Sequence, residues 1–175
     1  MTKIINFLGA PSAGKSFNAM SLTCALKSKG FKAEYVSEYA KDLVNENSTH
    51  KLKHQIYVFA KQLKRLEVLM DKDLDYIITD SPLILSSFYG TYYKNSSAIF
   101  EQLVLESFNQ YSNINFFLTR TLEYDAKLRV QTEEESIKVH ETLTSYLEAK
   151  NIQYTSLYND KYTISKILEL IEVLP

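Results

Sequence analysis

The sequence predicts an α/β fold, a five-stranded parallel sheet with helices on both faces. Two observations carry this. Short apolar runs of the kind that fill buried strands alternate with longer helical segments. The helical segments also carry their own start and stop signals. Lys3 to Leu8 (KIINFL) reads as the first strand, and Lys15 to Lys29 as a helix that Gly30 ends. Ala33 to Ser37 is the second strand, followed by helical stretches from Tyr39 to about Asn47 and from about Lys51 to Asp71. Leu74 to Thr79 is the third strand. Ser81 to Asn95, which contains a Pro and a Gly, reads as loop mixed with short helix. A helix from about Ser97 to Tyr111 leads to the fourth strand, Ile114 to Leu118. Thr132 and Glu135 are spaced as a capping box at the head of a helix running to Lys150. Gln153 to Leu157 is the fifth strand, and Lys161 to Leu174 the closing helix. With no repeat, low-complexity tract or linker, residues 1–175 read as one domain.

Composition narrows the function. A hydrophobic share of 45%, with 13 Tyr and 9 Phe, is that of a globular chain with a real core. A net charge of −1 argues against a protein held on nucleic acid by bulk charge, although a local basic surface is compatible with it. The one cysteine, Cys24, excludes an internal disulfide and is expected to be a small buried residue of the first helix. There is no signal-peptide pattern and no apolar run approaching the roughly 20 residues that span a bilayer. The expected compartment is the cytoplasm, with no membrane partner.

Between the first strand and first helix lies GAPSAGKS: Gly9, Ala10, Pro11, Ser12, Ala13, Gly14, Lys15 and Ser16. This fills every fixed position of G-x-x-x-x-G-K-[ST], the Walker A phosphate cradle of P-loop proteins. Glycines allow backbone N–H groups to converge on phosphate oxygens, and the following helix adds its positive end. Lys15 is expected to reach the β- and γ-phosphates of ATP and Ser16 to ligate Mg²⁺, with Phe17 beside the nucleotide. Two of the chain's four glycines fall in this motif, between a strand and a helix, which argues against a chance match.

A P-loop site also needs an acid at a neighbouring strand end for the metal. Asp80, closing the third strand in Thr79-Asp80-Ser81-Pro82, suits that role. The plainer alternative is an Asp capping the next helix. Glu38 ends the second strand and should face the same side of the sheet. A carboxylate there can accept the proton of an attacking hydroxyl, a base that transfer to an existing phosphate does not need. The plainer alternative is a solvated Glu at a helix start.

Arg120, Lys127 and Arg129 cluster after the fourth strand, where residues 120–132 suggest a basic lid over the triphosphate, with Arg129 its best arginine. On the acceptor side, the helices of about 39–71 offer Tyr39, Gln55, Phe59, Gln62 and Arg65. Gln55, Phe59 and Gln62 recur at helical spacing and suggest amide hydrogen bonds and stacking to a base. The segment Ser48 to Leu66 is basic, with Lys51, Lys53, Lys61, Lys64 and Arg65 and no acid, which suits phosphates of a nucleotide or of DNA. An ordinary solvated helix with an apolar core face explains the same pattern. His50 and His54 lack the glutamate of a metalloprotease motif, His140 is expected to be exposed, and Phe88-Tyr89-Gly90-Thr91-Tyr92-Tyr93 suits core packing as well as an acceptor pocket.

Together, GAPSAGKS, Ser37-Glu38-Tyr39-Ala40-Lys41, Thr79-Asp80-Ser81-Pro82 and Arg129 to Ser136 (RVQTEEES) resemble the NadR-like group of small P-loop kinases, AAA-domain proteins frequent in bacteriophage genomes. The resemblance implies ATP, Mg²⁺ and phosphorylation of a hydroxyl. Its acceptors include nicotinamide riboside and, in certain phage members, hydroxymethyluracil in DNA. The family often places a glycine before the lid arginine, where this chain has Leu128. The expected function is thus an ATP-dependent kinase acting on a nucleoside, nucleotide or nucleotide-like acceptor. Alternatives are a kinase of a modified DNA base and a nucleotide-dependent switch or partner-binding ATPase, which would need no acceptor base.

Overall fold

The computed structural model describes residues 2–121 and 132–173. Five strands, β1 (Lys3–Leu8), β2 (Ala33–Val36), β3 (Tyr76–Thr79), β4 (Ser112–Thr119) and β5 (Thr155–Tyr158), pair in the order β2-β3-β1-β4-β5, all parallel. Parallel neighbours need crossovers, and here helices supply them. These are α1 (Lys15–Ser28), α2 (Tyr39–Asn45), α3 (Gln55–Met70), α4 (Ile84–Tyr92), α5 (Ala98–Asn109) and α6 (Glu133–Ala149), while α7 (Thr163–Val173) follows the fifth strand.

The side-chain alternation of β1 divides the core. Ile5 and Phe7 point to the layer that holds α1 and α7, with Leu22, Leu26, Ile167 and Ile171. Ile4 and Leu8 point to the other layer, with Leu66, Phe88, Val104 and Leu143 from α3, α4, α5 and α6. Asn6 shares the second face and is buried, so its amide requires partners. Its Nδ2 donates to Asn113 Oδ1 at 2.8 Å and Asn115 Oδ1 at 2.9 Å, both on β4. Asn113 donates in turn to the carbonyls of Phe108 and Tyr111, and Asn115 to that of Gln153.

Several expectations need correction. The long helix expected from Lys51 is broken: Thr49–Lys53 is a 3₁₀ turn, and His54 (ψ 75°) leaves helical space before α3 begins. The mixed segment after Asp80 is mainly one helix, α4. It tolerates Gly90 because a Cβ there would sit 2.5 Å from Ser96 Oγ. Cys24 is exposed, because α1 buries the opposite face through Asn18, Ala19, Leu22, Thr23 and Leu26. His140 is half-buried, edge-on to Phe117 with ring centroids 5.1 Å apart. The Thr132–Glu135 capping box is present as expected, with reciprocal hydrogen bonds of 3.2 and 2.7 Å.

Candidate active site

The carboxyl ends of β1, β3 and β2 carry the cradle, Asp80 and Glu38 in spatial order across the sheet. The chain leaves β1 at Leu8 and turns at Gly9, whose φ of +137° is costly for any other residue. A Cβ there would also lie 2.7 Å from the carbonyl oxygen of Leu118 on β4. Replacing Gly9 by Ala is therefore expected to destabilise the fold by about 1–3 kcal/mol and to weaken nucleotide binding. Urea unfolding beside nucleotide titration checks both. Ser12 (φ 62°) and Gly14 (φ 83°) complete the turn into α1. The neighbours of Gly14 are Asn18, which donates to the Gly14 carbonyl (2.9 Å) and to Asn159 Oδ1 (2.8 Å).

A second brace comes from α6. Ser136, buried, donates from its hydroxyl to the Pro11 carbonyl at 2.8 Å. The head of α6 is thereby tied to the cradle. Ser136→Ala should cost about 1 kcal/mol of stability and weaken nucleotide binding, as urea unfolding beside a nucleotide titration would read.

Residues Ser12 to Phe17 and Glu38 line one cleft of about 130 Å³. Ala10 and Ala13 are buried beneath it, whereas Phe17 is 68% exposed at its rim. Lys15 Nζ donates to the Gly9 and Ala10 carbonyls at 2.8 and 2.9 Å, which holds the ammonium over the cradle. Glu38 serves as the N-terminal cap residue of α2 with extended backbone angles. The two peptides around it are fixed from α3. Gln62 accepts from Tyr39 N (2.9 Å) and donates to the Ser37 carbonyl (3.2 Å). Arg65 donates to the Ser37 carbonyl and hydroxyl, pairs with Asp42, and lies 5.1 Å from the Tyr39 ring centroid.

Asp80 is fully buried at the end of β3. Its Oδ2 accepts from Lys41 Nζ at 2.5 Å, and the same ammonium donates to Ser16 Oγ and lies 3.8 Å from Glu38 Oε2. Burial pushes the Asp80 carboxyl up, but the Lys41 ammonium and the Ser16 and Tyr35 hydroxyls outweigh it, and the group is held below the usual carboxylate range. Tyr35 is pushed well above the ordinary phenol range by burial and then by Asp80, so it stays a neutral donor. Burial, then the Glu38 carboxylate, does the same to Tyr89.

The donor set fits Mg²⁺. Ser16 Oγ and Asp80 Oδ2 already converge on one cation, and hard oxygen ligands suit this metal. Asp80 Oδ1 is buried with no hydrogen-bond partner among the described residues, a costly arrangement that a divalent ion or its water would relieve.

A family model of the AAA domain matches residues 4–163. The chain belongs to the AAA domain family. Among solved structures, the crystal structure of thymidylate kinase from Ehrlichia chaffeensis superposes with a TM-score of 0.64 over 99% of each chain, at 16% identity. That likeness is one of fold, a P-loop fold of the nucleotide-kinase type. A comparison with curated proteins finds no match.

In this AAA domain the other expected site residues divide into four groups. Gln55 and Phe59 are turned inward: the Gln55 amide donates to the Leu52 carbonyl, and Phe59 packs edge-on against Phe100. They offer no stacking face to an acceptor, since helical spacing alone does not say which face is core. Gln62 and Arg65 hold the turn that bears Glu38, and the Tyr39 hydroxyl bonds that of Tyr57 at 2.7 Å. Arg120 is ion-paired with Glu133 at 2.7 Å. Lys127 and Arg129 lie outside the described residues, as does Leu128. Lys41 and Tyr35 were missed as site residues. The signal for Lys41 was its position three residues after Glu38, one helical turn away on the same face.

Proposed function

We propose that this protein is a P-loop kinase, a single domain that transfers the γ-phosphate of ATP to a hydroxyl of a nucleoside, nucleotide or nucleotide-like acceptor. The observation that carries the reading is the placement of Glu38, a carboxylate opening onto the same cleft as Ser12 to Phe17. A nucleotide-dependent switch has no use for a proton acceptor at that point.

In this reading the cradle's backbone N–H groups and Lys15 bind the phosphates, and Phe17 flanks the nucleotide. Ser16 and Asp80 hold Mg²⁺, which supplies neutralising charge to the phosphates when bound. Glu38 takes the proton of the acceptor hydroxyl as its oxygen bonds to the γ-phosphorus and the bond to the ADP oxygen breaks. Arg129, with Arg120 and Lys127, stabilises the charge on the moving group. Tyr89 is close enough to Glu38 that its carboxylate, after burial, helps keep the phenol neutral. The resemblance to NadR-like kinases supports phosphorylation of a hydroxyl and leaves the acceptor to experiment.

A second reading, a kinase of a hydroxymethylated base in DNA, draws on one surface. Lys53, Lys61 and Lys64 are exposed on and before α3, beside exposed Tyr57. Transfer from γ-labelled ATP into separate pools of nucleosides, nucleotides, nicotinamide riboside and hydroxymethylated DNA tests both. Label in a small-molecule pool supports the first reading, and label in DNA alone supports the second. Release of inorganic phosphate with no labelled acceptor would sink both.

A further inference from the structure

The two oxygens assigned to the metal already share a cation of the chain's own. Lys41 Nζ contacts Ser16 Oγ and Asp80 Oδ2 together, and its third neighbour is Glu38 Oε2 at 3.8 Å. An ammonium and a divalent ion cannot both sit between the same hydroxyl and carboxylate oxygens, because each would occupy the other's coordination space and their charges repel. Lys41 has somewhere to go. Its side chain is 36% exposed, it springs from the first turn of α2, and the Glu38 carboxylate lies on its open side.

We infer that Lys41 is a positioning residue that competes with Mg²⁺ for Ser16 and Asp80, so that metal loading hands its ammonium from Asp80 to Glu38. The exchange has two consequences. Before loading, Lys41 neutralises the buried Asp80 charge and keeps Ser16 oriented for the ion. After loading, the same charge draws the Glu38 carboxylate into one orientation, so the proton acceptor is set only when the metal is in place. The inference rests on the reading of Ser16 and Asp80 as metal ligands, and not on the identity of the acceptor.

The test uses Mn²⁺ alone, followed by electron paramagnetic resonance, on the full-length wild type, Lys41→Met, Lys41→Arg and Asp80→Asn. Competition predicts that Lys41→Met binds Mn²⁺ about tenfold more tightly than wild type, a factor equal to about 1.4 kcal/mol. It also predicts that Lys41→Met melts at a lower temperature without metal, and that the gap closes at saturating Mn²⁺. In wild type, the Lys41 side-chain ammonium resonance should shift on Mg²⁺ titration with the midpoint of metal binding. Metal affinity of Lys41→Met within twofold of wild type, or a Lys41 resonance indifferent to Mg²⁺, overturns the inference. If Lys41→Met does not fold, the wild-type resonance and Lys41→Arg decide, since Arg should keep the competition and the fold. Mn²⁺ binding that Asp80→Asn leaves unchanged would instead overturn the metal assignment itself, a failure distinct from that of Lys41.

Discussion

Glu38→Gln slows phosphoryl transfer by about 10²–10⁴-fold, the usual contribution of a positioned general base, while nucleotide affinity stays nearly unchanged. The split follows from the geometry. In the proposed reading the cradle and α1 hold the nucleotide, whereas Glu38 reaches the cleft from β2, two strands away in the sheet. Gln preserves the length and shape of the side chain and loses only the proton acceptor. The turn that bears it is fixed through backbone groups of Ser37 and Tyr39, so the substitution leaves that turn in place. Single-turnover transfer beside a fluorescent-nucleotide titration measures the two quantities separately. Unchanged turnover would remove Glu38 from the chemistry and return the switch reading to favour.

Lys15→Met loses nucleotide binding as well as rate. Its ammonium lies over the cradle on the Gly9 and Ala10 carbonyls and, in the proposed reading, is the cation that the turn brings to the phosphates. Removing a preorganised donor of this kind costs about 10²–10³-fold in kcat, and here weaker nucleotide binding accompanies it. Methionine retains the apolar stem but loses the two hydrogen bonds to the Gly9 and Ala10 carbonyls, so unfolding in urea should show a loss of about 1–3 kcal/mol. A variant that binds and turns over normally would mean that the phosphates lie elsewhere.

Most of the fold was legible because its signals are local. Apolar runs such as Ile4 to Leu8, the helix-stopping Gly30 and the Thr132–Glu135 spacing each act over a few residues, and each is found in the structure near its expected place. Gly9 to Ser16 was equally legible, because the motif specifies backbone conformation and not long-range packing. What sequence could not supply was the direction in which side chains on a recognised helix point. Gln55, Phe59 and Gln62 do share a face of α3, but that face meets the core and the β2–α2 turn. The break at His54 was hidden for a related reason, since Thr49 to Lys53 carries helical propensity that the local 3₁₀ geometry overrides. Lys41 was missed because its contacts reach residues 25 and 39 positions away, one in the first turn of α1 and one at the end of β3.

The amide chain Asn6–Asn113–Asn115 bears on how faithfully this site is assembled. β1 and β4 pair over six rungs, and what each face carries has to fix that register. A slip of one rung would turn the asparagines to opposite faces and strand several amide groups in an apolar layer, each at a cost of about 1–3 kcal/mol. Such a slip would also carry the Leu118 carbonyl away from Gly9, whose path past that oxygen shapes the phosphate turn. Three mid-sheet amides thus act as a vernier for the molecule, rejecting near-miss alignments before any nucleotide arrives.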